Sequence, residues 1–225
     1  DVIVFCVKQK TAYDVEYGLV GSEMCIRDSN GLLADLGFRD FIVTAPVAEE
    51  IGTEGRAGDW GFEMQGNEDG KGLVTFADDP DAVAGRVSLC WTPDPYKGMY
   101  AAAIYPKSRD AGWNLAGKTK VVFWLKAVNN NIPGFQEPGP VITLHGKDGA
   151  IKIQPSGGRN LLVGTPYSEA RWTWMPVAAP LTADKDWVVA TTGSVSLAKI
   201  DAVSIAFDSW GGDPFTIWLD GLAFQ

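Results

Sequence analysis

The sequence predicts an all-β protein, an antiparallel sandwich or barrel, on three observations. Short segments rich in Val, Ile, Phe, Trp and Thr recur at 41–44, 73–76, 86–91, 99–105, 120–128, 141–145, 151–154, 172–177, 202–207 and 215–224. They are separated by clusters of Gly, Pro, Asn and Asp, residues that favour turns. No helical pattern of ten or more residues lies between them, which argues against parallel strands joined by helices. Several segments also alternate apolar and polar residues with the period of two that a half-buried strand requires. The size fits this reading: 225 residues, 46% hydrophobic and 21% charged, suit one well-cored domain and exclude a disordered tail or a small disulfide knot.

In chain order, the N-terminal stretch stands apart. Residues 8–29, KQKTAYDVEYGLVGSEMCIRDS, resemble the conceptual translation of sequencing-adapter DNA, of the kind found at the ends of assembled metagenomic reading frames. Residues 1–29 are therefore read as non-native and 30–225 as one domain; the alternative is an authentic strand at 2–7. The apolar stretch 2–7 is too short, and follows Asp1 rather than a basic region, so it is not a signal peptide. Setting 1–29 aside removes Cys6 and Cys25 and leaves Cys90 as a lone thiol, expected to be a small buried hydrophobe. All nine tryptophans remain. The one helical signal is short, GLLADLG at 31–37, framed by glycines.

The strands that follow sort residues onto faces. In 120–126, Val121, Phe123 and Leu125 share one side, and Lys120, Val122, Trp124 and Lys126 the other. In 215–220, Phe215, Ile217 and Leu219 oppose Thr216, Trp218 and Asp220. Thr143 and His145 lie opposite Ile142 and Leu144. Ser204 and Asp208, with Trp210 soon after, lie opposite Val203, Ile205 and Phe207. One side of the sandwich is thus expected to carry tryptophans among charges and hydroxyls, the chemistry of a wet aromatic platform.

Charge and motifs exclude several functions. Nineteen basic against 28 acidic residues give a net charge of -9, so a nucleic-acid surface would be built against the global field. No apolar run approaches the roughly 20 residues that span a bilayer. Residues 112–119, GWNLAGKT, match the phosphate-loop pattern, but Lys118 and Thr119 lead into a strand pattern where that motif needs a helix. There is no HExxH and no GxSxG, and His145, the single histidine, has no acid beside it in sequence. The acidic stretches 67–72 and 78–81 lack the EF-hand pattern and read as turns.

Four stretches, WNLAGKTKVVFWLK at 113–126, WTWMPVAAPL at 172–181, IDAVSIAF at 200–207 and FTIWLDGLAF at 215–224, resemble successive strands of galactose-binding-like β-sandwich domains. Carbohydrate-binding modules of secreted glycoside hydrolases commonly have this jelly roll. The resemblance covers about residues 86–225 and is carried above all by the closing strand. It implies carbohydrate as the partner, a secreted or cell-surface location, and a structural Ca2+ with Asp220 in the ligand position.

A pyranose offers an apolar C–H face, which an indole covers, and a rim of hydroxyls, which charged and hydroxyl side chains bond. The candidate ligand-binding residues are accordingly Trp124, Lys126, His145, Asp208, Trp210 and Trp218. The expected function is non-catalytic carbohydrate binding by a monomeric module of a larger protein. The rival readings are a jelly-roll polysaccharide lyase or hydrolase using His145 with Tyr100 or Tyr105, and a structural spacer without ligand.

Overall fold

The computed structural model describes residues 4–7, 24–27, 50–65, 74–93, 100–129, 138–161, 173–208 and 215–225. The chain divides into two compact units, Asp1–Thr44 and Ala45–Gln225, so the division falls after Thr44. In the first unit, β1 (Val4–Val7) pairs antiparallel with β2 (Met24–Arg27), with Cys6 opposite Cys25. The expected helical turn at 31–37 and the strand at 41–44 lie outside the described residues.

The second unit is an antiparallel β-sandwich. Its strands are β3 (Gly61–Gln65), β4 (Val74–Asp79), β5 (Ser88–Pro93), β6 (Tyr100–Tyr105), β7 (Lys120–Asn129), β8 (Val141–His145), β9 (Asp148–Pro155), β10 (Met175–Pro180), β11 (Trp187–Ser194), β12 (Ala202–Asp208) and β13 (Phe215–Phe224). A five-stranded sheet runs β10-β7-β13-β5-β4, and a six-stranded sheet runs β11-β9-β8-β12-β6-β3. The chain passes between sheets at most connections, and the β8–β9 hairpin is an exception. Those crossings make a jelly roll. Strands 141–145 and 215–224 match the sequence expectation to the residue.

Two strands of this second unit, β3 and β11, were not expected, and both are edges of the six-stranded sheet. Within β11, Trp187 is the single buried residue and the last five are exposed. In β3, Phe62 is 40% exposed. An edge strand with little to bury has no need of an apolar alternation, so the sequence signal is weak there. The phosphate-loop look-alike is no nucleotide site: Leu115 is buried, its amide donates to the Leu197 carbonyl (2.6 Å), and the segment runs straight into β7.

Alternation builds the core between the sheets. From the five-stranded sheet come Leu89, Trp91, Phe123, Leu125, Val177, Ile217 and Leu219; from the six-stranded sheet come Ala103, Ile142, Leu144, Ile153, Ile205 and Phe207. Trp91 meets Phe207 across the interface with ring centroids 4.4 Å apart. A second aromatic chain, Trp60, Tyr105, Trp113 and Phe224, closes one end. Phe224 reaches this position through a β-bulge: Asp220 pairs with Trp124 and Ala223 with Val122, so β13 carries one extra residue. Gly221 supplies the positive φ (60°) that such a bulge uses.

Phe123 is fully buried at the centre of β7. Phe123→Ala should lower the free energy of unfolding by about 3–5 kcal/mol, read from chemical denaturation. A loss below about 1 kcal/mol would contradict a close-packed core at this point.

Candidate functional site

The register of the five-stranded sheet sets its outward side chains in rows across the strands. Trp218 lies opposite Lys126 on one side and Cys90 on the other, and Ala77 lies beyond Cys90. Met175 pairs with Leu125, so Trp174, one residue before β10, continues the row beside Lys126. The row reads Trp174, Lys126, Trp218, Cys90, Ala77. One step along the strands, about 7 Å, Val128 faces Thr216 and Thr92 faces Thr75. Thr92 and Thr216 share a hydroxyl contact of 3.3 Å, and with Thr75 they form a hydroxyl row beside the aromatic one. One step the other way, Trp124 lies opposite Pro176 and Asp220.

Lys126 organises the aromatic row. Its amine sits 4.1 Å from the Trp218 ring centroid and 5.1 Å from that of Trp174, and it forms an ion pair with Asp81. Its side chain is only 9% exposed. A buried ammonium is tolerable only where its charge is met, and here a carboxylate and two aromatic faces meet it. Asp81 also accepts the Trp174 indole N–H at 3.3 Å, so one carboxylate fixes both the amine and the outer indole. The Trp218 indole N–H is buried with no acceptor among the described residues.

Asp81 opens a loop, 80–87, that is pinned against the sheet by carboxylates accepting backbone amides. Asp220 takes the N–H groups of Val83 (2.6 Å) and Ala84 (2.7 Å). Glu54 takes those of Arg86 (2.8 Å) and Val87 (3.3 Å). Glu50 does the same for the preceding turn, accepting from the amides of Thr53 (2.5 Å) and Glu54 (3.0 Å). Burial pushes the Asp220 carboxyl above its ordinary range, against the opposing pull of the Ala84, Val83 and Gly221 amides. Calcium asks for six to eight oxygen ligands; around Asp220 the structure shows the amides of Val83 and Ala84, with the Glu50 carboxylate near enough to help raise its pKa. Among the described residues no group of three or more His, Cys, Asp or Glu is arranged to hold a metal.

The expected site residues divide between the two sheets. Trp124, Lys126 and Trp218 share the outer face of the five-stranded sheet. His145 and Asp208 lie on the six-stranded sheet, on the side facing away from the core, so the structure does not bring them to the first group. Trp210 lies outside the described residues. The His145 Nε2 is 2.8 Å from the Ser204 hydroxyl, and Asp208 is opposite Tyr100. Burial, with a smaller contribution from Asp208, pushes the Tyr100 phenol up to about 12. His145 pairs with Ala202, six residues before Asp208 on β12, which separates His145 from Tyr100 by about 20 Å along the sheet. Tyr105 faces the other way, onto Trp60 and Trp113 in the core.

Sequence reasoning missed Trp174, Asp81 and the threonine row. Thr216 was legible as a face-mate of Trp218; Trp174 and Asp81 come from a neighbouring strand and a loop, 48 and 45 residues from Lys126.

No family model matches the sequence, and no curated protein does. Among solved structures, a family 11 carbohydrate-binding module of a cellulosomal cellulase from Clostridium thermocellum is similar at 14% identity and a TM-score of 0.47, over 81% of this chain and 97% of that one. Carbohydrate-binding modules of the β-sandwich superfamily, described as promiscuous in specificity, are similar at 16% identity and 0.41, over 81% of this chain and 63% of theirs. An exo-β-agarase is similar at 11% identity and 0.44, over 74% of this chain and 23% of that one. The class itself is defined by the two sheets described above: an antiparallel jelly-roll sandwich.

Two measurements check the electrostatics. The Val83 and Ala84 amides already bound to Asp220 lead us to expect no shift in Tm when calcium or EDTA is added; a rise with calcium would mean that the ion binds the folded state. Burial lowers the His145 pKa below 6.5, helped by Arg109 and opposed by Glu63. The unfolded chain therefore takes up this proton more readily, and the contribution of His145 is fully present above about pH 6.5 and lost as pH falls through the folded value. Melts from pH 7 to about pH 5 should show Tm falling less steeply in His145→Gln than in the parent; equal slopes would refute the assignment.

Proposed function

We propose that this domain binds a carbohydrate chain without acting on it, using the outer face of the five-stranded sheet. The observation that carries the reading is how the described tryptophans are distributed. Trp60, Trp91 and Trp187 are buried in the core, and Trp113 packs against Tyr105 and Phe224. Trp124, Trp174 and Trp218 are instead only partly covered, on one face, and two of them are braced by Lys126. Core packing does not call for this second group. An indole face suits the C–H side of a pyranose, and the Thr216, Thr92 and Thr75 hydroxyls one step away suit its hydroxyl rim.

The distance between His145 and Tyr100, and the inward position of Tyr105, support binding rather than acid–base catalysis, which needs its groups within hydrogen-bond reach of one proton. A polymeric glycan as ligand also goes with a secreted or cell-surface module.

Affinity electrophoresis against a polysaccharide panel, with reducing-sugar and unsaturated-product assays in parallel, tests the proposal. Retardation without product is expected. Trp174→Ala and Trp218→Ala should each weaken it about tenfold or more, or about 1.4 kcal/mol, while Lys118→Ala, in the turn before β7, retains it. Product formation abolished by His145→Ala would instead make the protein an enzyme, and no retardation by any polysaccharide would make it a spacer.

A further inference from the structure

We infer that the chain pairs reversibly with a second copy of itself through the free edge of β11, joining two six-stranded sheets into one, in place of the monomer expected from sequence. Four strands end the two sheets, and three of them carry a feature that discourages further pairing. The strand β3 is five residues long and holds Glu63, β4 holds Asp78 and Asp79, and β10 holds Pro176 and Pro180. The fourth, β11, has none of these. Its eight residues, WVVATTGS, include no charge and no proline. Val188 is 45% exposed, and residues 190–194 are exposed throughout.

Main-chain bonds show which groups of this edge are open. The Ser156 amide donates to the Asp186 carbonyl at 2.8 Å, and this pair fixes the alternation of the ladder between β9 and β11. Val188, Ala190 and Thr192 therefore bond β9, while Trp187, Val189 and Thr191 turn their N–H and C=O groups away from it. Trp187 agrees with that phase: its amide donates to the Asp184 carboxylate (2.8 Å) and its carbonyl accepts from the Asp184 amide (3.1 Å). Asp184 thus closes one end of the edge, and Gly193, at a positive φ of 65°, ends its regular part at the other. Between them, the outward groups of Val189 and Thr191 have no main-chain partner among the described residues.

Such a segment is complementary to itself. A two-fold axis through Ala190 sets Val189 of one copy against Thr191 of the other, twice, for four main-chain hydrogen bonds. Ala190 faces Ala190 in the close, non-hydrogen-bonded position between them, where a methyl group fits. Val188 meets Thr192 on the outer side, and Asp184, Lys185 and Asp186 fall opposite Ser196, Val195 and Ser194, so no two charges are opposed. The contact is isologous and closes at two copies; as an edge alone it is smaller than a standard interface, and so weak. A two-fold between antiparallel strands stands perpendicular to their sheet, so both five-stranded sheets lie on one side of the joined sheet. On the carbohydrate reading above, two binding faces then point the same way, toward one polymer.

Sedimentation velocity on the full chain, in about 0.15 M salt to screen net charge and without any glycan, tests the pairing. The dimer fraction should rise from near zero at about 10 µM to a half or more by about 1 mM. Thr191→Pro removes an outward amide without touching the β9 ladder, a placement that edge strands tolerate. Ala190→Lys sets like charges face to face. Each should weaken dimerisation about tenfold or more, with far-UV circular dichroism and the Tm reporting whether the fold is intact. Mixing Ala190→Lys with Ala190→Glu should restore a dimer, the result expected of a contact centred on residue 190. A chain that stays monomeric at about 1 mM, a dimer undiminished by both substitutions, or assembly that continues beyond two copies would each overturn the inference, whatever the outcome with polysaccharides.

Discussion

The pairing of β7 with β13 is the constraint on which the rest depends. These two ten-residue strands sit side by side within the five-stranded sheet, and their shared alternation divides the molecule. On one side Phe123, Leu125, Ile217 and Leu219 are fully buried against the six-stranded sheet. On the other, Lys126 and Trp218 are brought face to face, with Trp124 opposite Asp220. A slip of one residue in this pair would send every one of those side chains to the wrong face. The core and the candidate site are thus the two sides of one register.

Two ionisable side chains lie beneath the surface of that outer face, and each is accommodated differently. Lys126 is matched by an acidic partner and two ring faces, a solution that depends on long-range packing. Asp220 is matched by backbone amides of the 80–87 loop, a solution that depends only on the path of the main chain. Because Asp81 and the Asp220-bound amides belong to the same loop, the two sites are mechanically joined. The loop that satisfies Asp220 also delivers the carboxylate that keeps Lys126 and Trp174 in place.

How much of this could be read from sequence follows from what a period of two contains. Alternation tells which residues of one strand share a face, and so Trp124 with Lys126, and Trp218 with Asp220, were legible, as were the bounds of 141–145 and 215–224. It does not tell to which sheet a strand belongs, and so His145 and Asp208 were grouped with tryptophans that lie on the opposite face of the sandwich. Nor does it tell which strands are neighbours: Trp174 joins the row only because β10 pairs with β7, and Asp81 joins it from a loop. The edge strands β3 and β11 left little trace because half-exposed edges impose few demands on composition. The amide environment of Asp220 is a feature of loop geometry that no local pattern encodes.

The bulge in β13 separates two properties of the C-terminal strand that are usually inseparable. Downstream of it, Ala223 and Phe224 face Val122 and Val121. A chain shortened by one residue at Gly221 could keep those same partners in an unbroken ladder. What it would lose is the widening beside Trp124 and Ala84, both 3.6 Å from the point where a side chain on Gly221 would begin. The extra residue is therefore dispensable for pairing and matters for loop seating. Length variation at this position would alter how the outer face is dressed while leaving the sandwich beneath it intact.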